Sequence, residues 1–376
     1  MPFPWFKKKK TAYSGKLSEL QQMLDNKQNI TYKLTDADKR LVYSIREKTS
    51  SENQNNITRT NAYLSYYQNH PEIHWSFLAH MVSRNAGWNM TDLKGTCLSR
   101  LLSKNEREAF YQFLERGNWL IFHDAYPQLL MYEESLKQGR NLTYLLPHLF
   151  VSRYMETVWT HFWTHKDSRL LTIALIINEQ NHLEETLMKQ VNIQNDVLGK
   201  VEFMLQDFLS MNQILFPYFN ETNVVFQGKT IHHFEELESR IIIGKVLYSL
   251  LFDNHHLIKI EQWANHTSHT GSRKDYWPHL FNNVNEEVPG KKYQVRLNNC
   301  DLISGSPRFY SPSLIHVWKD VSHDPPRYTD WYRDSSIVHD MMPMTKEKTG
   351  NVELEYCKTL GKLELACVAK KVLPLF

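Results

Sequence analysis

The sequence predicts a mainly α-helical protein, with a multi-helix, bundle-like body, an irregular C-terminal section and room for one short β-hairpin. Three observations carry this. Apolar residues recur at spacings of three and four through most of the chain. The connections between successive helical stretches are short, which favours antiparallel neighbours in a bundle. Glycine is scarce, with 13 in 376 residues against the ~26 that average usage would give. Long helices joined by short turns need few residues of positive φ.

The elements follow in order. Leu17, Leu20 and Leu24 stripe a first helix. Thr35 is placed to cap a second, from Asp36 to about Lys48, with Leu41, Val42 and Ile45 turned inward. After the polar break Asn53 to Asn56, a helix from about Ile57 to Gln68 ends before His70-Pro71. Pro71 suits the first turn of the next helix, which carries Ile73, Phe77, Leu78, Met81 and Val82, and which Gly87 is positioned to end. Further helical patterns cover roughly 104–116, 118–138, 147–165, 168–188, 197–217, 235–252 and 256–264. Gly228 reads as a turn residue. From about residue 267 the chain is richer in Pro, Ser, Asp and His, with Pro325-Pro326 as a breaker. Val352, Leu354 and Tyr356 alternate as in a small strand; Leu363 to Val368 either pairs back on it across Gly361 or forms a helix. This divides the chain into a basic, aromatic, flexible tail (1–15), a helical body (16–265) and an irregular section packed on it (266–376). No repeat period marks a solenoid.

Several classes of function are excluded. No two glycines lie closer than Gly87 and Gly95, so dinucleotide, P-loop and nucleophile-elbow motifs are all absent. Net charge is +3, yet residues 1–50 hold 11 Lys or Arg against 5 Asp or Glu, so the remainder sums to −3. A nucleic-acid-binding domain usually shows a broader basic face. Aromatics beside Lys7 to Lys10 can touch nucleic acid or an anionic membrane surface; a solvated tail is the plainer reading, because one short motif anchors weakly. The longest strongly apolar stretch, Leu170 to Ile177, is well short of a membrane span. With no signal-peptide pattern at the start, a cytoplasmic location is expected. The four scattered cysteines, Cys97, Cys300, Cys357 and Cys367, lack any C-x-x-C spacing and read as reduced structural thiols. The N-x-[ST] triplets then carry no meaning for export.

Five constellations carry candidate chemistry. His123-Asp124 sits in an apolar helix four residues before the break that Pro127 makes in the hydrogen-bond ladder; such a buried acid–base pair marks either a functional site or a core network. Glu179 and His182, in the polar run that ends an apolar helix, share a face at i, i+3. Glu-x-x-His is half of a di-metal ligand set, but the second copy is missing, leaving a polar cluster lining a pocket between helices. His161 and His165 share a helical face without a third ligand nearby in sequence, and no metal ligand is assigned. His80 and Arg84 lie on one flank of an apolar helix, where Arg84 holds either a substrate anion or an internal acid. The stretch from His266 to His279 gathers His269, Gly271, Arg273 and Lys274 with large aromatics, either as an anion-binding loop or as a docking loop.

The segment Asn69-His-Pro-Glu-Ile-His-Trp-Ser-Phe-Leu-Ala-His-Met-Val-Ser-Arg-Asn-Ala-Gly-Trp-Asn-Met-Thr-Asp-Leu93, with Ile121-Phe-His-Asp-Ala-Tyr-Pro-Gln128 and Ile176-Ile-Asn-Glu-Gln-Asn181, resembles the YppC-like proteins, a Bacillus family of unknown function. The resemblance covers most of the chain beyond about residue 55. It implies a bacterial, cytoplasmic protein without an established activity, and no site residue carries over from it. Two readings of function follow. One is a non-enzymatic binding or assembly protein for an unidentified protein or small anionic ligand. The other is an enzyme acting on an anionic substrate, with His123, Asp124, Glu179 and His182 as its acid–base set and His80, Arg84, His269, Gly271, Arg273 and Lys274 as its anion-binding groups. The sequence leaves the cofactor unknown. The enzymatic reading requires these side chains to meet at one open cleft.

Overall fold

The computed structural model describes residues 4–26, 33–189, 213–221, 223–231, 236–252, 255–327, 329–342 and 352–372; the side chains of 4–12, 223 and 371–372 lie outside that description. The body begins with α1 (Pro4–Asn26) and α2 (Asp36–Glu52). Thr35 caps α2 by accepting from the Asp38 backbone N–H, while the Asp38 carboxylate accepts from that of Thr35. In α3 (Asn56–Asn69) the Asn55 side chain does the same for the N–H groups of Ile57 and Thr58. Helix α4 (His74–Asp92) and the short α5 (Leu98–Leu101) lead to α6 (Lys104–Gln138), which Ser103 caps and Gly139 ends at φ 64°. A 3₁₀ turn (Thr143–Leu149) precedes α7 (Arg153–His165) and α8 (Ser168–Leu183), and a π turn (Glu184–Met188) prolongs α8.

Strands β1 (Gln213–Asn220) and β2 (Asn223–Thr230) form an antiparallel hairpin running from Gln213 opposite Thr230 to Asn220 opposite Asn223. Helices α9 (Leu237–Phe252) and α10 (Leu257–His266) complete the body. The rest is mostly irregular. It contains β3 (Phe281–Asn282) paired in parallel with β6 (Phe309–Tyr310), a small hairpin of β4 (Leu297–Asn298) and β5 (Asp301–Leu302), α11 (Leu314–Val317) and α12 (Val352–Val372). Helix α8 is the axis of the core. Residues Leu170 to Asn178 are all buried, because α4, α6, α7 and α9 all pack on it. Among the described residues no helix is long and apolar enough to cross a membrane.

The structure departs from the sequence reading at several points. Backbone 4–15, expected as a flexible tail, belongs to α1. Gly87 does not end α4, which runs on to Asp92. Its lack of a side chain serves packing instead: a Cβ there would lie 2.4 Å from Asn56 Oδ1 and 2.7 Å from His269 Cε1. The two helices expected over 104–138 are one, continuous through Gly117 and Pro127. Of the helix expected over 197–217, residues 213–217 are strand and the remainder lies outside the described residues. Gly228 lies within β2 rather than in a turn, where a Cβ would lie 2.1 Å from the Ile214 carbonyl oxygen. The alternation at Val352 to Tyr356 belongs to a helix, with Tyr356 buried under Trp277 at a centroid distance of 4.1 Å. Cys300 and Cys357 are joined in a disulfide, correcting the expectation of four reduced thiols; the β4–β5 turn brings Cys300 onto α12. Cys97 and Cys367 are free and buried.

The interior of the body is tied by an ion pair. Arg59 of α3 donates to Glu115 of α6 at 2.6 Å, with side chains 1% and 0% exposed. Arg59 also donates to the Asn53 side-chain oxygen at 3.2 Å. Removing one partner of such a pair leaves a buried charge uncompensated, which costs about 3–5 kcal/mol. Glu115→Gln is therefore expected to lower the unfolding free energy by that amount in denaturant titrations at neutral pH. An unchanged midpoint and slope would contradict the assignment.

A candidate ligand cavity beside Glu179

The polar run at the end of α8 separates into distinct surroundings. Asn178 enters a sealed network: it donates to Asp124 Oδ2 at 2.6 Å and accepts from Ser152 and Trp331, each at 2.9 Å. Gln128 donates to the same Asp124 oxygen at 3.0 Å and to the Asp124 backbone carbonyl, and accepts from the Trp159 indole at 2.8 Å. Burial pushes the Asp124 carboxyl up to about 7, against the lowering effect of the Asn178 and Gln128 bonds. This is a core network bracing α6, α7 and α8 around Pro127.

His123, the neighbour of Asp124, turns another way. It stacks on Trp119 at 4.7 Å and lies in the electrostatic reach of His182 and Arg116. Burial first, then these charges, holds His123 at about 4; burial and Arg116 do the same for His182. Both are neutral imidazoles at pH 7.

Glu179 has different company. Its carboxylate accepts from the Trp75 indole at 3.1 Å and from Gln180 at 3.1 Å, while burial pushes it up to about 7. It lines a cavity of about 260 Å3 between α3, α4, α6, α8, α9 and the hairpin. The space exists because small residues face it from three helices: Ala79, Ser83 and Ala86 on α4, Gly117 on α6 and Gly244 on α9. Gly244 also lets α9 close on α8, since a Cβ there would lie 2.5 Å from Ile176 Cγ2. The rest of the wall is mainly apolar, with Leu78, Val82, Ile121, Leu183 and Leu247 among it. Arg240 reaches the rim paired to Glu184 at 2.5 Å and donating to Gln180 at 3.1 Å. Leu187-Met188 and Ile214, also in the wall, flank residues 190–212, which lie outside the described residues.

The remaining expected residues lie elsewhere. His80 is fully buried with one ring nitrogen against the Thr60 carbonyl at 2.8 Å, and burial with Arg84 nearby holds it at about 3. Arg84 donates to the carbonyls of Thr267 and Ser268 at 2.7 and 3.2 Å and lies over Trp263. His269 meets Asn56 Oδ1 at 2.7 Å. Gly271, at φ 78°, takes a bond from Thr91 to its carbonyl at 2.6 Å. The Arg273 guanidinium is buried over Trp88 and bonded to Asp92 and the Tyr356 hydroxyl, and Lys274 donates to Asn283 at 2.9 Å. The stretch 266–279 thus docks the C-terminal section on α4, and the guanidiniums of Arg84 and Arg273 are both spent on that docking. Of His80, Arg84, His123, Asp124, Glu179 and His182, Glu179 alone lines the cavity.

Arg240 and the small-residue wall escaped sequence reasoning. The available signal was α9 itself, apolar almost all round and so bound to be buried on more than one side. Among the described residues, the group whose side chains could together hold a metal ion is His161 and His165 of α7 with Glu19 of α1.

This helical protein with a mainly apolar cavity between its helices belongs to the family described as "Protein of unknown function (DUF2515)", whose model matches residues 51–355. It is 41% identical over 237 residues to the "Uncharacterized protein YppC" of Bacillus subtilis (strain 168), an alignment covering 63% of this chain and 73% of that protein. No solved structure matches the chain.

The sealed network carries a pH signature. Between an unfolded value near 3.8 and a folded value of about 7, the folded chain keeps a proton on Asp124 that the unfolded chain releases. Its contribution to stability is therefore present below about pH 4 and lost as pH rises towards 7. Asp124→Asn removes this slope. Its unfolding free energy relative to the parent is expected to climb by on the order of 2–4 kcal/mol from pH 4 to 7.5. A pH-independent difference between the two proteins would show that Asp124 titrates alike in the folded and unfolded chains.

Proposed function

We propose that this protein is a binding protein whose ligand is a small, largely apolar molecule bearing one hydrogen-bonding or cationic group, held in the cavity beside Glu179. The observation that carries the reading is the cavity itself, apolar over most of its wall with one carboxyl of raised pKa in it. Ligand sites of this kind are apolar enclosures with a few placed polar groups. At about 260 Å3 it is roomier than the ~150 Å3 hole that admits benzene and just below the ~300 Å3 at which typical small-molecule sites begin.

The charge balance argues for a neutral or cationic ligand over the anionic one expected from the sequence. Each guanidinium at the wall already faces a carboxylate, Arg59 with Glu115 and Arg240 with Glu184. Glu179 accepts hydrogen bonds when ionised and donates one when protonated, so it suits a hydroxyl or an amine. Binding is favoured over acid–base catalysis because no histidine of the expected set accompanies Glu179 at the wall. A cytoplasmic location fits the resemblance to the Bacillus family. The Cys300–Cys357 disulfide weighs the other way, since disulfides persist in oxidising surroundings.

The test is a neutral solvatochromic dye, Nile red, titrated into the purified protein. Bright, saturable fluorescence is expected, with competition by medium-chain alcohols or amines. Val82→Phe, which fills the cavity from α4, is expected to weaken binding at least about tenfold, the scale of a filled apolar site, while thermal unfolding moves by only a few degrees. Equal fluorescence from both proteins, or none from the parent, would sink the proposal.

A further inference from the structure

A second site lies where α1 crosses α7, remote in chemistry from the cavity. His161 and His165, one turn apart on α7, present their rings side by side with centroids 4.2 Å apart. Glu19 of α1 reaches over both. Its Oε1 lies 2.9 Å from His165 Nε2 and its Oε2 lies 3.9 Å from His161 Nε2. One ligand atom from each of the three residues lies within 4.8 Å of the other two. Ligands bound ~2.1 Å from a tetrahedral ion sit about 3.4 Å apart, and the two measured separations bracket that value.

An independent observation points to a missing partner. The His161 side chain is 0% exposed, and neither of its ring nitrogens has a hydrogen-bond partner among the described residues. A buried polar group left unpaired is costly, and an interior imidazole with both nitrogens unmet calls for a partner. Nε2 faces a carboxylate oxygen that is too far for a hydrogen bond and well placed to share an ion. The crossing is held in register by two bonds from the turns of α1 that precede Glu19. Lys16 pairs with Asp167 at 2.7 Å, which also offsets the lysine charge nearest the site, and the Tyr13 hydroxyl donates to the Met341 carbonyl at 2.9 Å.

We infer that Glu19, His161 and His165 bind a divalent transition-metal ion of the zinc class. Two imidazoles and one carboxylate favour Zn2+ or Co2+ over the hard ions Mg2+ and Ca2+, which take all-oxygen sites. Three protein ligands leave a fourth position, and the half-exposed Glu19 side chain puts it within reach of water or a small anion. The ion would fasten α1 to the body. Glu19 precedes the region that the family model matches, whereas both histidines fall inside it. The complete ligand set therefore depends on the N-terminal helix of this chain.

The experiment titrates the chelator-treated, full-length protein with Co2+ and Zn2+ alone. One equivalent of Co2+ should bind with visible d–d bands of four-coordinate intensity. Zn2+ should displace it and raise the thermal midpoint, and millimolar Mg2+ should do neither. His165→Ala should weaken Co2+ binding about a hundredfold and Glu19→Gln about tenfold or more, the range seen when ligands and their close supports are altered. Both positions are partly exposed, so these variants fold even where His161→Ala does not. Absence of saturable binding of either Co2+ or Zn2+ at about 100 μM, a concentration that would fill even a weak micromolar site, would overturn the inference. So would binding that both variants leave unchanged, which would place the ion on other histidines.

Discussion

The C-terminal half of α4 can be covered only because position 87 carries no side chain. Across that gap His269 reaches Asn56, with its ring 2.7 Å from where a Cβ would sit. One turn earlier Arg84 takes the carbonyls of Thr267 and Ser268, and one turn later Asp92 takes Arg273. Arg273 in turn is bonded to Tyr356, which stacks on Trp277. A largely irregular section of chain is thereby held through side chains that bond its backbone and fill its core. Without such fixed points its order would not offset the entropy of ordering loops. Glu364 repeats the device further out, accepting from Tyr293 and from the backbone of Arg296 and Leu297.

Much of the helical body is legible in the sequence. The Leu17-Leu20-Leu24 stripe, the Thr35 cap and the apolar block at Leu170 to Ile177 each specify local structure through local spacing, and the structure carries them as expected. What was misread depends on partners distant in sequence. A glycine near a helix end reads as a stop, but Gly87 answers to a residue 182 positions later. Gly117 looks like a boundary, yet it packs on Leu187 and α6 continues past it. The alternation Val352-Leu354-Tyr356 spans too few residues to separate strand from helix, and the contact of Tyr356 with Trp277 decides it.

The candidate sites show the same division. His123-Asp124 was conspicuous because a charged pair in an apolar helix must be satisfied. The partners that satisfy Asp124 are the neutral amides of Asn178 and Gln128, which no motif announces. The cavity was invisible for a different reason: a void is specified by what is small, and Ala79, Ala86, Gly117 and Gly244 come from three separate helices. The metal-binding trio is intermediate. Its i, i+4 histidines are visible on α7, while Glu19 becomes a neighbour only through the crossing of α1.

One physical effect dominates two carboxyls and three imidazoles of the interior, and it narrows what they can do. Burial penalises charge, so it raises carboxyls and lowers imidazoles together. Asp124 and Glu179 stand at about 7, His123 and His182 at about 4, and His80 at about 3. At neutral pH the three imidazoles are therefore uncharged, and a base of such low affinity for protons is poorly matched to general acid–base work near pH 7. Asp124 is matched in pKa but is enclosed by donors. Glu179 combines a pKa near neutrality with a place at the cavity wall, so its charge is the one a bound ligand can shift. An amine would draw it to the carboxylate and an alcohol would leave it closer to the acid. In the ligand-binding reading proposed above, the chemical character of the ligand would be coupled to the protonation of a single side chain.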